Sequence, residues 1–374
     1  MAGIYVHIPY CKQACHYCDF HFSTNLTTKS DLIEGILKEI DLQKKYLAEE
    51  IVETIYFGGG TPSLLSTFEF STILERIRQN FLIGQSPEIT LEANPDDLTS
   101  AKLAELKSVG VNRLSIGIQS FDDDLLSYFN RAHDNEMAVK SVREAKKLGF
   151  TNLSIDLIFG APDQSLAALE ADLDQALKLR TPHISIYGLT IEENTVFGKW
   201  QKQNKLNSLD DDIAAAHLEL IMETLENAGY IQYEISNFCL PGFESKHNSS
   251  YWYGTWYLGI GPAAHSYNGK SRQYNQAHNI KYIQGLKNNE LPFTIENLSE
   301  KDQINEFIIT QIRLKKGIDC QYLIKHYSFD LLSTKSEAIE NFNKVEMLET
   351  ESNFLRLTPK GKLLADFITE KLII

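Results

Sequence analysis

The chain has 374 residues, of which 43% are hydrophobic and 23% are charged, and these fractions are ordinary for a soluble globular protein. With 36 basic and 50 acidic residues its net charge is −14, so we expect no basic face for nucleic acid. No window contains the roughly 20 apolar residues that span a bilayer, and residues 1–10 lack the basic region of a signal peptide, so we expect a cytoplasmic protein.

Short apolar runs alternate with helical patterns through the first half of the chain. The runs predict strands at 3–8, 51–57, 88–93, 111–117, 151–157 and 183–189. Between them, apolar residues at helical spacing predict helices, such as the one with Leu103 and Leu106 that follows the N-cap Thr99. Six such units predict an α/β fold with a parallel sheet and a site at the carboxyl ends of its strands. Periodicity leaves open whether this sheet is a partial barrel or an open doubly wound sheet.

The pattern changes after residue 190, which divides the chain into three predicted segments. The first is a core domain at 1–190. An extension at 191–298 follows, in which Asp210 to Asp212 open a helix and later segments are rich in aromatic and turn residues. The third is a smaller, mainly helical C-terminal domain at 299–374, with a β-hairpin near 352–357.

Three of the five cysteines lie close together near the start of the chain, at Cys11, Cys15 and Cys18. In a cytosolic protein such clustering indicates metal or redox chemistry more often than disulfides. Three thiolates supply three corners of a [4Fe–4S] cluster and leave one iron open to a chelating ligand. A zinc site is the alternative, for which His16 or His21 would supply a fourth ligand.

Further polar motifs follow the other predicted strands. Three glycines in Gly58-Gly59-Gly60-Thr61-Pro62 let backbone amides approach a charged group, although a simple tight turn has the same pattern. A carboxylate such as Glu92 in LEANP accepts hydrogen bonds from ribose hydroxyls or an ammonium group. The remaining polar residues at or beyond strand ends are Gln119, Arg131 and Asp156. Each of these residues alone is also compatible with a structural role.

Together these motifs resemble the radical S-adenosylmethionine (SAM) superfamily, whose defining CxxxCxxC motif usually has an aromatic residue before its last cysteine, here Tyr17. The order YxHIPxC, GGGTPS, Glu before NP, GxQSF, NRxH and DLIFGxP is similar to that of its coproporphyrinogen dehydrogenase-like branch. The resemblance implies a partial (β/α)6 TIM-like barrel with a [4Fe–4S] cluster on the three cysteines and Tyr17 beside it. It also implies SAM contacts from Tyr5, Gly59, Gly60, Thr61, Glu92, Gln119, Arg131 and Asp156.

Two features distinguish members of this branch. The porphyrinogen-oxidising enzyme has a further cysteine two positions after the third, where this chain has Phe20, and an extension before a first strand that here begins almost at Met1. The chain instead resembles the haem-chaperone members of the branch, in which a run like His247-Asn-Ser-Ser-Tyr251-Trp252 is linked to haem binding. Because an imidazole can ligate haem iron, His247 is a candidate axial ligand. A histidine capped in an aromatic core is the alternative.

The resemblance therefore implies a chaperone that binds haem and transfers it to a haem-requiring client, such as a membrane-bound respiratory enzyme. It leaves open a homodimer and peripheral association with a membrane. The alternative is an enzyme of porphyrin biosynthesis that reductively cleaves SAM and oxidises coproporphyrinogen III with the resulting radical. Because Phe20 replaces the extra cysteine, we expect no coproporphyrinogen dehydrogenase activity. A zinc-stabilised binding module that uses the same thiols is a third, more distant alternative.

Overall fold

Six parallel strands, each followed by helical structure, form the first half of the chain. The computed structural model describes residues 1–206 and 211–374. The strands of this half are β1 (Ala2–Ile8), β2 (Val52–Gly59), β3 (Ile83–Ala93), β4 (Arg113–Gln119), β5 (Asn152–Phe159) and β6 (His183–Gly188). The helices are α1 (Lys29–Leu42), α2 (Thr67–Asn80), α3 (Ser100–Ser108), α4 (Asp123–Tyr128), α5 (Asn135–Lys147) and α6 (Leu166–Leu179). All six predicted strands are confirmed.

The six strands lie side by side in chain order, and each pairs in parallel with the next. A doubly wound sheet reverses its strand order at a switch point, and this one does not. The partial (β/α)6 arrangement is therefore confirmed. The faces of the strands that the helices cover are buried and apolar. In β4, for example, Leu114, Ile116 and Ile118 are fully buried.

Side-chain caps explain where several outer helices begin. The Ser66 hydroxyl accepts a hydrogen bond from the N–H of Glu69, whose side chain reaches back to Ser66, so α2 opens with a capping box. Thr99 caps α3 by accepting from the N–H of Lys102, as predicted. Such caps satisfy the backbone donors that a helix leaves unpaired in its first turn.

The sheet continues beyond the six predicted strands on both sides. The added strands are β7 (Ile231–Gln232), β8 (Asn237–Cys239), β9 (Trp256–Ile260), β10 (His265–Tyr267), β11 (Ser271–Asn275) and β12 (Phe293–Asn297). The helices of this region are α7 (Val196–Lys202), α8 (Asp211–Asn227), α9 (Lys246–Trp252) and α10 (Asn279–Lys287). Strand β9 lies parallel to β1, whereas β8 lies antiparallel to β6. The described residues thus form a twelve-stranded sheet, and the predicted helix start at Asp210 lies outside them.

The C-terminal segment has a hydrophobic core of its own. Its helices are α11 (Glu300–Gln311), α12 (Cys320–Tyr327), α13 (Leu331–Thr334), α14 (Ser336–Lys344), α15 (Pro359–Lys362) and α16 (Ala365–Leu372). A small sheet of β13 (Ile318–Asp319), β14 (Leu348–Glu351) and β15 (Phe354–Leu357) includes a hairpin close to the predicted one. Residues such as Ile308, Leu323 and Ile368 form this core. The domain boundary at 298/299 stays a prediction. Within the described ranges no helix is long and apolar enough to cross a bilayer.

Candidate functional site

A cavity of about 530 Å³ opens among residues at and beyond the carboxyl ends of the parallel strands. Small-molecule sites in proteins typically have volumes of roughly 300–1,000 Å³. The predicted residues that line it are Cys11, Cys15, Tyr17, Cys18, Gly59, Gly60, Thr61, Glu92, Gln119, Arg131 and Asp156. The fold therefore gathers eleven of the predicted residues, drawn from five separate strand ends and loops, around one space.

The three clustered thiols lie in the loop between β1 and α1. The loop is held by backbone hydrogen bonds from Cys11 to the carbonyl of Ser23 (3.1 Å) and from Cys18 to the carbonyl of Cys15 (3.3 Å). Burial raises the pKa of Cys11 and raises that of Cys18 to about 11. These two thiols are therefore protonated at neutral pH until a bound metal displaces the proton, as metal–thiolate bonding does.

The surroundings of the thiols fit an iron–sulfur cluster better than a single zinc ion. Among the described residues, no three His, Cys, Asp or Glu side chains are placed to hold one metal ion together. The imidazole of His16 hydrogen-bonds to the carbonyl of Tyr128 (2.9 Å), and that of His21 pairs with Asn279 (2.7 Å). Neither histidine lines the cavity. A cubane cluster needs no fourth nearby ligand, because its cysteines bind separate irons.

The glycine turn after β2 lies tightly against this loop. A Cβ atom on Gly60 would lie 2.8 Å from the carbonyl oxygen of Tyr10 and 3.0 Å from the Sγ of Cys11. Gly59 has φ +110°, and a Cβ there would lie 2.6 Å from the His7 ring. Both positions require glycine, and the backbone of this turn forms part of the cavity wall with no side chain in front of it.

Two half-buried carboxyl groups line the same cavity. Glu92 accepts hydrogen bonds from the hydroxyl of Tyr56 (2.8 Å) and from the N–H of Gly59 (3.1 Å). Asp156 accepts from the hydroxyl of Ser115 (3.1 Å). Desolvation raises the pKa of Glu92 to about 7 and raises the pKa of Asp156. Carboxyl groups whose charge is poorly solvated favour a ligand that brings positive charge or hydroxyl donors.

Arg131 connects the cavity wall to the thiols. Its Nη2 donates to the side-chain oxygen of Asn94 and to the carbonyl of Gly117, both at 2.7 Å. Its Nη1 lies 3.3 Å from the Sγ of Cys15 and 3.4 Å from the hydroxyl of Tyr17. Its Nε is buried and has no hydrogen-bond partner within the described part of the chain. A buried donor without a partner costs free energy, so an acceptor atom on a bound ligand would satisfy this N–H group.

Gln119 enters the cavity because β4 bulges at its carboxyl end. The pairing register with β5 shifts between Gly117 and Gln119, and Gln119 has φ +70°. Asp172 of α6 stabilises the chain that follows, since its carboxylate accepts from the Ser120 hydroxyl and from the N–H of Phe121, each at 2.7 Å. The bulge thus directs the amide inward.

Two predicted site residues lie outside the cavity lining. Tyr5 is not among the lining residues, and its ring stacks on that of Tyr56 with centroids 6.0 Å apart while its hydroxyl hydrogen-bonds to His7 (3.1 Å). His247 is 1% exposed, and its Nδ1 and Nε2 are paired with Thr54 (2.7 Å) and Tyr251 (2.9 Å). This is the arrangement of a histidine capped in an aromatic core, and iron ligation would require one of these bonds to break.

Sequence reasoning missed several polar residues of the lining, among them Asn94, Ser115, Ser185 and Asn248. Asn94 follows Glu92 closely in LEANP, and Ser115 alternates with Gly117 along β4, so strand periodicity contained a signal for both. Asn248 directly follows His247, and nothing in the local pattern shows which of the two side chains faces the cavity.

Comparison with known proteins identifies the family and the fold of this chain. The radical SAM superfamily profile matches residues 5–176, and the HemN C-terminal domain profile matches residues 298–364. The chain is 33% identical to the heme chaperone HemW of Bacillus subtilis over 98% of this chain and 97% of that protein. It is 34% identical to the heme chaperone HemW of Lactococcus lactis over 99% of this chain and 97% of that protein. The structure of coproporphyrinogen III oxidase (HemN) from Escherichia coli shares the fold, with a TM-score of 0.86 at 22% identity over 100% of this chain and 90% of that one.

Proposed function

Because the chain belongs to the HemW family of radical SAM proteins, we propose that it is a haem chaperone that carries a [4Fe–4S] cluster and SAM and transfers haem to haem-dependent proteins. The observation that carries this proposal is the similarity to relatives named heme chaperones over nearly the full length of both chains. Phe20 supports it, because the porphyrinogen-oxidising enzyme has a cysteine at that position and this chain has an exposed phenyl ring.

In this proposal Cys11, Cys15 and Cys18 bind the cluster. The thiols line one cavity, and the five cysteines of the chain form no disulfides. Reduced thiols are the state expected in the cytoplasm, where we propose that the protein acts. When bound, a cluster of this type supplies one-electron chemistry at an iron that the protein does not ligate.

SAM would occupy the cavity beside the cluster. The backbone of Gly59, Gly60 and Thr61 lines the cavity and is suited to receive the amino group of SAM. The carboxyl groups of Glu92 and Asp156 are placed to accept from hydroxyl or ammonium donors. Gln119 and Arg131 complete the wall, and the Nε of Arg131, which has no partner among residues 1–206 and 211–374, marks a donor that a ligand oxygen would satisfy.

Haem would bind near the mouth of the same cavity. Phe20 is 72% exposed, and Phe22 and Tyr187 also belong to the lining. Aromatic rings of this kind cover the apolar face of a porphyrin. The recipient would be a haem-requiring client protein, with a membrane-bound respiratory enzyme as one class, and a homodimer would be compatible with this activity.

Anaerobically reconstituted protein tests the proposal directly. Titration with haem should give a saturable change in the haem absorption spectrum, and the loaded protein should pass haem to an apo-haem protein. The same reduced protein, incubated with coproporphyrinogen III and SAM, should leave the porphyrinogen unchanged. Formation of protoporphyrinogen IX, or absence of any saturable haem binding, would overturn the proposal.

A further inference from the structure

We propose that Asn248, and not His247, is the residue of the HNxxYW run that contacts SAM, and that His247 is a positioning residue that holds Asn248 and Tyr56 in place. The inference rests on the proposed function, because it assumes that SAM fills the cavity. It deepens that function by assigning one further side chain to the nucleoside end of SAM.

His247 is anchored inside the barrel on every side. Its ring stacks on Tyr56 with centroids 5.0 Å apart, and its two nitrogens pair with Thr54 and Tyr251. Its backbone N–H donates to the carboxylate of Glu88 on β3 at 3.2 Å. A Cβ on Gly3 of β1 would lie 3.2 Å from the His247 ring, so glycine makes room for the imidazole. These contacts fix α9 against three strands of the barrel.

The position of Gly3 along β1 shows from which end of the strands α9 enters the barrel. Gly3 lies five residues before Ile8, the last residue of β1, and at ~3.3 Å per residue this separates them by roughly 16 Å. The cysteine loop follows Ile8, at the other end of the strand. The helix α9 therefore approaches the cavity from the amino ends of the strands, on the side away from the thiols.

Asn248 is the part of α9 that reaches the cavity. It belongs to the lining, together with Tyr56, Glu92 and Ser115. Its side-chain amide has no hydrogen-bond partner among the described residues, whereas its neighbour His247 uses both ring nitrogens. A carboxamide offers two donors and one acceptor, which suit the ribose hydroxyls and ring nitrogens of a nucleoside. With the amino-acid end of SAM at the cluster, the nucleoside end is the part that lies on the Asn248 side.

His247 also links Asn248, through Tyr56, to the carboxyl group of Glu92. Tyr56 stacks on His247 and donates its hydroxyl to Glu92 at 2.8 Å. At the other end of α9, the side chain of Gln311 donates to the carbonyl of Trp252 at 2.6 Å. Removal of the imidazole would leave both Asn248 and Tyr56 less firmly held, so a substitution at His247 should weaken SAM binding.

The test measures SAM by equilibrium dialysis and haem by spectral titration on reconstituted protein. Asn248→Ala should weaken SAM binding by about tenfold, as expected for loss of one hydrogen bond to a ligand, and leave haem binding unchanged. Ser249→Ala on the same helix is the matched control and should bind SAM like the wild type. His247→Ala should weaken SAM binding, and His247→Gln, which keeps hydrogen-bonding atoms, should restore part of it.

Two results would overturn the inference. One is wild-type SAM affinity in Asn248→Ala, and the other is loss of haem binding in His247→Ala with SAM affinity retained. Iron content and thermal denaturation show whether each variant is folded, and Asn248→Ala still decides the question if His247→Ala does not fold. A wild-type protein that binds SAM but no haem would refute the proposed chaperone function and leave this inference standing.

Discussion

The guanidinium of Arg131 lies 3.3 Å from the Sγ of Cys15, although 116 residues separate the two in the chain. The same guanidinium is fixed by Asn94 and Gly117, so its position does not depend on the sulfur. Arg131 thus connects the loop that carries the three cysteines to the wall of the cavity.

Cys15→Ser should abolish cluster binding, because it replaces a thiolate with a hydroxyl that does not ionise at neutral pH. Iron and acid-labile sulfide measured after anaerobic reconstitution should fall to background. Cys239→Ala is the matched control, since this cysteine is fully buried and lies outside the cavity lining. Iron retained at the wild-type level in Cys15→Ser would contradict the cluster assignment.

SAM affinity should rise as the pH increases through about 7. The desolvated Glu92 has its pKa raised to about 7, so above that pH it presents a negative charge to a cationic ligand. Glu92→Gln should remove this pH step and weaken binding at pH 8 by about tenfold or more, the effect of losing one charge-assisted hydrogen bond. Equilibrium dialysis between pH 6 and 8 measures both effects. Glu170→Gln, on the exposed face of α6, should keep the wild-type profile, and a profile that stays the same in Glu92→Gln would refute the role.

Phe20→Ala should weaken haem binding and leave SAM binding intact. Covering a phenyl ring with a porphyrin is expected to contribute roughly 1.5–3 kcal/mol, or about tenfold or more in affinity. Phe68→Ala provides the comparison, because Phe68 is 78% exposed on α2 and lies outside the cavity lining. Equal haem affinities for the two variants would place the haem elsewhere.

Glu39→Gln should change how stability depends on pH. Glu39 is fully buried in α1, where it accepts from the hydroxyl of Tyr282 (2.5 Å), the side chain of Asn275 (2.7 Å) and the N–H of Gly261 (2.8 Å). Burial nevertheless raises its pKa from 4.5 to about 7. Between these two pH values the folded state holds a proton that the unfolded state has lost, so the free energy of unfolding falls as pH rises through this window.

Between pH 5 and pH 8 the free energy of unfolding of the wild type should fall by roughly 3 kcal/mol more than that of Glu39→Gln. Urea unfolding at several pH values measures it. Glu34→Gln on the exposed side of the same helix should behave like the wild type. Parallel pH profiles for wild type and Glu39→Gln would show that this carboxyl group is not protonated in the folded protein.

The fold of the first half could be read from local pattern because each strand contains a short buried run and the helices α2 to α6 each begin with a side-chain cap. Thr99 and the apolar residues of α3 lie within one stretch of chain, so their roles needed no distant partner. The added strands escaped prediction for the opposite reason. Strand β9 takes its place in the sheet through parallel pairing with β1, more than 240 residues away, and β7 has two residues.

The candidate site likewise has one part that could be read from the sequence and another that depends on the tertiary structure. The sequence alone determined that three thiols, a glycine turn and a set of polar residues follow the strands, because parallel strands bring their carboxyl ends to one edge. Only the tertiary structure decided that Asn248 lines the cavity while His247 and Tyr5 do not. Neighbours in sequence point in different directions on a helix, and which direction is inward depends on how the helix packs against strands that are remote in the chain.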